Sequence, residues 1–289
     1  MKEQHCVACH GPLGFFGPRH GAEYHLCRNC RTLQLCPMPE EEKLTKAYAE
    51  KYAGAGQTDE FDDPDRWRRA GHNFRQCLVD TLRQHKISGT ILDVGAGWGF
   101  LCELLEANNF TCRGIEVSTK MTTYAQQHNL AVERGDMNSL AQMPDRFGAI
   151  VMCAVFEHIV NHDRWMQVIH QKLDDGGVFV SLHPTAACYQ LLGTLLRLGN
   201  RNKELPGLHG SFAPPWHTAL FSVPGMQALA VRNGFLIDDI RPAPQGRFGG
   251  ALEIIQICQE RVNRLGWRIW KTNWPLVTTH VFVMKKESN

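Results

Sequence analysis

The chain has 289 residues, 43% of them apolar, and a formal net charge of +2 at neutral pH. That length suits one large or two small domains with a packed core. The charge is too mild to demand nucleic acid or an anionic membrane, and no apolar run is long enough to span a bilayer.

The charged, Cys/His-rich start does not read as a signal peptide. Seven of the eleven cysteines are scattered, mostly in apolar contexts such as Val151-Met152-Cys153-Ala154. Buried thiols of that kind predict a cytoplasmic protein rather than a secreted disulfide framework.

The other four form two knuckles, Cys6-x-x-Cys9 and Cys27-x-x-Cys30, around a Gly/Pro-rich loop. Two such turns brought together make a tetrahedral four-sulfur site suited to zinc, structural because no position stays open. A segment this small has no core of its own, so metal would supply its folding energy, on the order of 10–16 kcal/mol in comparable peptides. His5, His10, His20 and His25 then read as solvated loop residues and Cys36 as a spare thiol. Residues 1–36 are thus a zinc ribbon and 37–65 a helix and linker. The helix runs through Leu44 and Tyr48 to Tyr52. Gly54 to Asp65 reads as a linker able to double as a cover over an active site.

From Arg66 to Lys86, Trp67, Phe74, Leu78 and Leu82 have core-packing helical spacing. Next comes Ile91-Leu92-Asp93-Val94-Gly95-Ala96-Gly97-Trp98-Gly99, a strand ending in a glycine-rich turn, then helical spacing at Phe100, Leu101, Leu104 and Leu105. Such a turn lets a ligand approach backbone and offers it unpaired N–H groups. A dinucleotide fingerprint would be G-x-G-x-x-G. Here Phe100 takes the place of the last glycine, and an ordinary strand-to-helix turn is the plain alternative.

Strand and helix signals then alternate, predicting a mostly parallel sheet with helices on both faces. Thr111 to Glu116 is the second strand, and Glu116 at its carboxyl end can accept both hydroxyls of a ribose. Ser118 to His128 is a helix and Ala131 to Arg134 a third strand, closed by Gly135-Asp136-Met137. Asp136 can accept from an adenine amino group or cap a helix. Phe147 to Ala154 is a buried fourth strand, Asn161 to Leu173 a helix, and Val178 to Leu182 a fifth strand after Asp174-Asp175-Gly176-Gly177.

Over roughly residues 66–285 the chain resembles the class I S-adenosylmethionine-dependent methyltransferases. The resemblance rests on ILDVGAGWG, GIEVS, GDM, the FEHI segment and DDGGVFVSL, in order and at family spacing. The ribbon, the Pro37-x-Pro39 stretch and the Leu44…Tyr48…Tyr52 helix are similar to a zinc-ribbon subgroup of these enzymes. It implies a Rossmann-like seven-stranded sheet in domain 66–289. It also implies a cofactor set of Asp93, Gly95, Gly97, Glu116, Val117, Asp136, Met137 and Cys153. In that set the glycines meet the methionine portion, Glu116 the ribose, Val117 and Met137 the adenine faces, Asp136 its amino group, and backbone near Cys153 the amino-acid end.

In open α/β sheets ligands sit beyond the carboxyl ends of the strands. His158 follows strand four and His183 ends strand five, so both are candidate bases, with His183 favoured for its position. An insertion at about 185–222 reads as a lid and ends in Pro214-Pro215-Trp216-His217. This segment again resembles the subgroup, whose histidine lies near the acceptor, making His217 a third candidate. The plain alternative for each of the three is a hydrogen bond to a backbone carbonyl. Tyr189, Trp216 and Arg247 are candidate substrate contacts.

Phe235 to Arg241 and His280 to Lys285 read as an antiparallel pair of strands. Between them Ala251 to Ile257 is apolar, and Glu260 to Trp274 reads as a helix with Arg261, Arg264, Arg268 and Lys271 on one face. A solvated basic face with tryptophans packed on the domain or a partner is preferred over nucleic-acid or membrane contact. The aromatic edge can also seed a homodimer. The expected activity is methyl transfer to an oxygen, less readily a carbon or nitrogen, of a small molecule such as a sugar, glycan precursor or secondary metabolite. Methylation of RNA bases and a non-catalytic cofactor-binding role are the alternatives.

Overall fold

The computed structural model describes residues 5–51, 63–206, 212–247 and 251–287. Most of the expected cover, Gly54 to Asp65, and Tyr52 lie outside the described residues. The chain opens with β1 (Leu13–Arg19), β2 (Ala22–Cys27) and β3 (Leu33–Leu35), an antiparallel set, followed by α1 (Glu41–Lys51).

The helix expected over 66–86 is two helices, α2 (Pro64–Ala70) and α3 (His72–Gln84), broken at Gly71. Asp63 caps the first through the N–H groups of Asp65 and Arg66. At the break the Arg75 guanidinium donates to the carbonyls of Trp67 and Arg68, so the exposed end of α2 is satisfied by a side chain of α3.

There follow β4 (Thr90–Val94), α4 (Phe100–Ala107), β5 (Thr111–Glu116), α5 (Thr119–Gln127), β6 (Val132–Arg134), α6 (Met137–Gln142), β7 (Phe147–Cys153), α7 (His162–Lys172) and β8 (Leu173–Pro184). The insertion contributes α8 (Ala186–Leu195) and β9 (Ala219–Leu220). Last come α9 (Val223–Arg232), β10 (Phe235–Pro242), α10 (Ala251–Trp270) and β11 (Thr279–Lys286). The seven-stranded sheet runs β10-β11-β8-β7-β4-β5-β6; β6 to β8 are parallel and β11 is antiparallel to both neighbours.

Alternation along the strands feeds two cores, as a sheet buried on both faces requires. Leu92, Val94, Ile150 and Met152 pack toward α6, α7 and α9, while Ile91, Ala149, Val151 and Val180 pack toward α3, α4 and α5. The first core also takes in Cys6, Ala8, Cys27 and Cys30. A third core joins Tyr24, Leu33 and Leu35 to Ala186, Tyr189, Phe212 and Leu220. The N-terminal strands are therefore continuous with the insertion, and β3 pairs with β9 through Leu33–Leu220 and Gln34–Ala219.

At the tail, one helix spans what read as an apolar segment and a shorter helix. Its basic residues face outward as expected, and so do apolar ones: Ile254, Val262, Leu265 and Ile269 are exposed. Among the described residues no helix is long and apolar enough to cross a membrane.

Candidate active site

The glycine turn sits at the carboxyl edge of β4. Gly95 has φ +74°, and a Cβ there would lie 2.5 Å from Val155 Cγ2, so only glycine lets the strand end pass. The N–H groups of Gly95 and Ala96 donate to the Ile115 carbonyl, tying the turn to β5. Glu116 ends β5 almost buried, accepting from Gly97 N–H at 2.9 Å and Ser118 N–H at 2.8 Å. Burial raises its pKa, and these two donors oppose that. One carboxylate oxygen thus braces the glycine turn and the other the start of α5.

Beneath the turn, Asp93 is 2% exposed, and its Oδ1 has no partner among the described residues. Burial, with Glu116 nearby, pushes its carboxyl up to about 7, while the Arg75 cation pulls it down. Arg75 is itself driven below its ordinary value by burial, and Cys153 and Asp93 hold it up. An orphaned acid and a partly desolvated cation that feel each other's charge suit the charged ends of an amino acid. Sequence reading missed Arg75 because nothing in His72-Asn73-Phe74-Arg75 marks it; only the break at Gly71 turns it inward.

Asp136 is a helix cap: its Oδ1 accepts from Ser139 N–H at 2.9 Å, and Ser139 Oγ returns the bond to the Asp136 N–H. These bonds hold its carboxyl below the usual range. Met137 is buried in the first turn of α6, and Val117 is half-buried beside Glu116.

The candidate acceptor side is assembled from three segments distant in sequence. His158 follows β7, and its Nδ1 lies 2.9 Å from the Trp216 carbonyl and 2.6 Å from the Tyr48 hydroxyl on α1. The His217 ring is 4.7 Å from that of His158, and Tyr48 packs edge-on against Trp216 at 4.7 Å. Glu157 is 1% exposed, with Oε1 3.8 Å from His158 Nε2 and Oε2 unpartnered among the described residues. Burial pushes its carboxyl up to about 8. Tyr48 and Glu157 are further site residues that the sequence did not single out.

His183 is corrected to a core residue. It is fully buried, its ring stacked on Phe282 at 5.2 Å and flanked by Phe156 and Phe221, with Nδ1 2.7 Å from Ser181 Oγ. Burial drives its pKa down to about 3. The strand end is not open because the insertion returns over it: Ala186 N–H donates to the Phe221 carbonyl. Tyr189 is likewise buried against Phe212 at 6.0 Å rather than lining a pocket. Arg247 bonds Glu260 at 2.9 Å and gives its N–H to the Ala70 carbonyl, tying α10 to α2 instead of facing an acceptor.

Away from the cleft, the sulfurs of Cys6 and Cys30 are 3.6 Å apart and those of Cys9 and Cys27 are 3.4 Å apart, all four within 4.8 Å of one another. None of the four nearby histidines joins the cluster. The knuckles also hold the acceptor side. Ser222 Oγ donates to the Cys30 carbonyl, Leu35 N–H to Thr218 at 2.9 Å, and the buried Tyr24 hydroxyl to His217 at 2.9 Å.

Comparison with known proteins agrees with this geometry. A family model described as "Methyltransferase domain" matches residues 65–238, more than half of the chain. The chain belongs to the class I S-adenosylmethionine-dependent methyltransferases. Magnesium protoporphyrin IX methyltransferase from Synechocystis PCC 6803, solved with bound S-adenosylhomocysteine, superposes with a TM-score of 0.53. It shares 15% identity, covering 84% of this chain and 100% of that one. Cyclopropane-fatty-acyl-phospholipid synthase of Escherichia coli is 30% identical over 127 residues, 42% of this chain and 32% of its own. The ubiquinone biosynthesis O-methyltransferase of Chromobacterium violaceum is 27% identical over 135 residues, 42% of this chain and 56% of its own. The methyltransferase thus spans about a third to a half of these curated relatives.

Proposed function

We propose that this methyltransferase moves the methyl of S-adenosylmethionine to an oxygen of a small molecule such as a sugar, glycan precursor or secondary metabolite, with carbon or nitrogen as lesser choices. His158 takes the acceptor's proton, with the His217 ring beside it. One observation carries the reading. The Trp216 carbonyl can only accept a hydrogen bond, so its 2.9 Å contact fits a proton on His158 Nδ1, with the Tyr48 hydroxyl oxygen accepting beside it, and an unprotonated Nε2.

The bound cofactor supplies a methyl already activated by the sulfonium charge. Glu116 holds the ribose while Gly95 and Gly97 admit the methionine portion. Asp93 and Arg75 receive its ammonium and carboxylate. Cys153 backbone lies beside that end, and Val117, Met137 and Asp136 serve the adenine, the last through its uncapped oxygen. His158 accepts the hydroxyl proton at Nε2, worth about 10²–10⁴-fold for a positioned base. Glu157, whose Oε1 lies 3.8 Å from Nε2, favours the protonated ring once it gives up its own proton. The relative named as an O-methyltransferase supports oxygen as the attacked atom.

The four thiolates hold a structural zinc ion, since four sulfurs close a tetrahedral shell. Metal analysis should find one zinc per chain and none in Cys27→Ser; a metal-free wild-type protein would refute the assignment. The activity is tested with labelled cofactor and extracts of metabolites or RNA. Label in a small hydroxylated product supports the reading, and label in RNA bases replaces it.

A further inference from the structure

α10 joins two strand ends at the carboxyl edge of the sheet: β10 finishes there, and β11 starts there at Thr279, opposite Pro184. The helix therefore lies along the rim that borders the acceptor side. Its inner face is specific. A Cβ on Gly266 would lie 2.2 Å from the Trp274 ring, whose N–H donates to buried Asn263 at 3.0 Å. Both acids within the helix, Glu253 and Glu260, turn to Arg247 at 3.8 and 2.9 Å.

The outer face has the opposite character. Ile254, Val262, Leu265 and Ile269 recur at helical spacing along one stripe, with Ile255 beside it and Trp270 at its end. All six are 51–66% exposed. Arg261, Arg264 and Arg268 lie along one flank, exposed and in no ion pair among the described residues. On the same edge of the sheet, α8 leads to exposed Leu195, Leu196 and Leu198.

We propose that α10 docks this enzyme on an anionic lipid bilayer, its apolar stripe entering the headgroup boundary and its arginines meeting lipid phosphates. An apolar stripe alone would fit many partners. The unneutralised cationic flank selects an anionic surface, and an antiparallel two-fold pair of copies would bring those arginines together. Docking would set the acceptor side toward the membrane. The surface does not depend on which atom takes the methyl, because binding is read without turnover.

The test is co-sedimentation of the full chain with phosphatidylcholine vesicles, with and without phosphatidylglycerol. Binding is expected only with phosphatidylglycerol and should weaken as salt is raised. Replacing Arg261, Arg264 and Arg268 together by alanine should weaken it roughly a hundredfold. Leu265→Asp with Ile269→Asp should abolish it while leaving cofactor affinity unchanged. No binding, or equal binding by both variants, overturns the proposal. So does a wild-type dimer by light scattering that Leu265→Asp makes monomeric, because the face then belongs to a second copy.

Discussion

The glycine turn, Glu116 and Ser118 lie within one strand–helix–strand unit. Tyr48, His158, Trp216 and His217 come from a helix before the sheet, a strand end inside it and an insertion after it. Each region is braced by its own short bonds, but the braces differ. Two backbone N–H groups hold Glu116 from within the unit. The Trp216 carbonyl and the Tyr24 hydroxyl hold the histidines from across the chain. Cofactor binding should therefore tolerate damage elsewhere, whereas acceptor chemistry should register damage in the ribbon.

The largest expected effect tests that separation directly. His158→Gln should cut kcat by about 10²–10⁴-fold with cofactor affinity unchanged in calorimetry. A matching loss of affinity would join the two regions and break the comparison. Glu116→Ala should do the reverse, weakening cofactor binding by about 10- to 100-fold while kcat at saturation stays close to wild type. Unchanged affinity would remove Glu116 from the ribose site.

The core histidines sharpen the contrast with the acceptor pair. Burial holds His183 and His280 neutral, with pKa values near 3 against 6.5 when unfolded. As pH falls, the unfolded chain binds protons first, so stability complete above 6.5 is lost toward 3. At pH 5 each costs about 2 kcal/mol. Urea midpoints at pH 7 and 5 should show the loss, and His183→Gln should recover its share; a pH-independent midpoint contradicts the buried assignment. The smallest effect is Tyr24→Phe, worth about 1 kcal/mol of stability and a few-fold in kcat, with cofactor affinity unmoved. A fall in cofactor affinity instead would mean that the ribbon braces the whole cleft.

The same division decided what was legible in the sequence. The sheet, its helices and the four-sulfur cluster follow from periodicity and spacing, which are local properties. Asp136 read equally as a cap or an adenine contact because one carboxylate can do both, and the cap is what forms. His183 was misplaced because strand order puts it at the ligand edge, while the covering Phe221 arrives from the insertion. Tyr48 reads only as part of a helix motif and Arg75 carries no local signal: one is aimed by docking of α1, the other by a helix break. On α10 the basic spacing is visible, yet the exposed stripe through Ile254, Val262, Leu265 and Ile269 is not, because only the tertiary fold decides which stripe faces out.

The bond between Thr32 and Ser222 spans 190 residues. During synthesis Thr32 emerges before that partner and waits for it, roughly 10–40 seconds at ordinary elongation speeds. Under the proposed zinc assignment the ion keeps the small module closed through that interval, so starving a growing cell of metal should deplete newly made chains well before it harms mature ones.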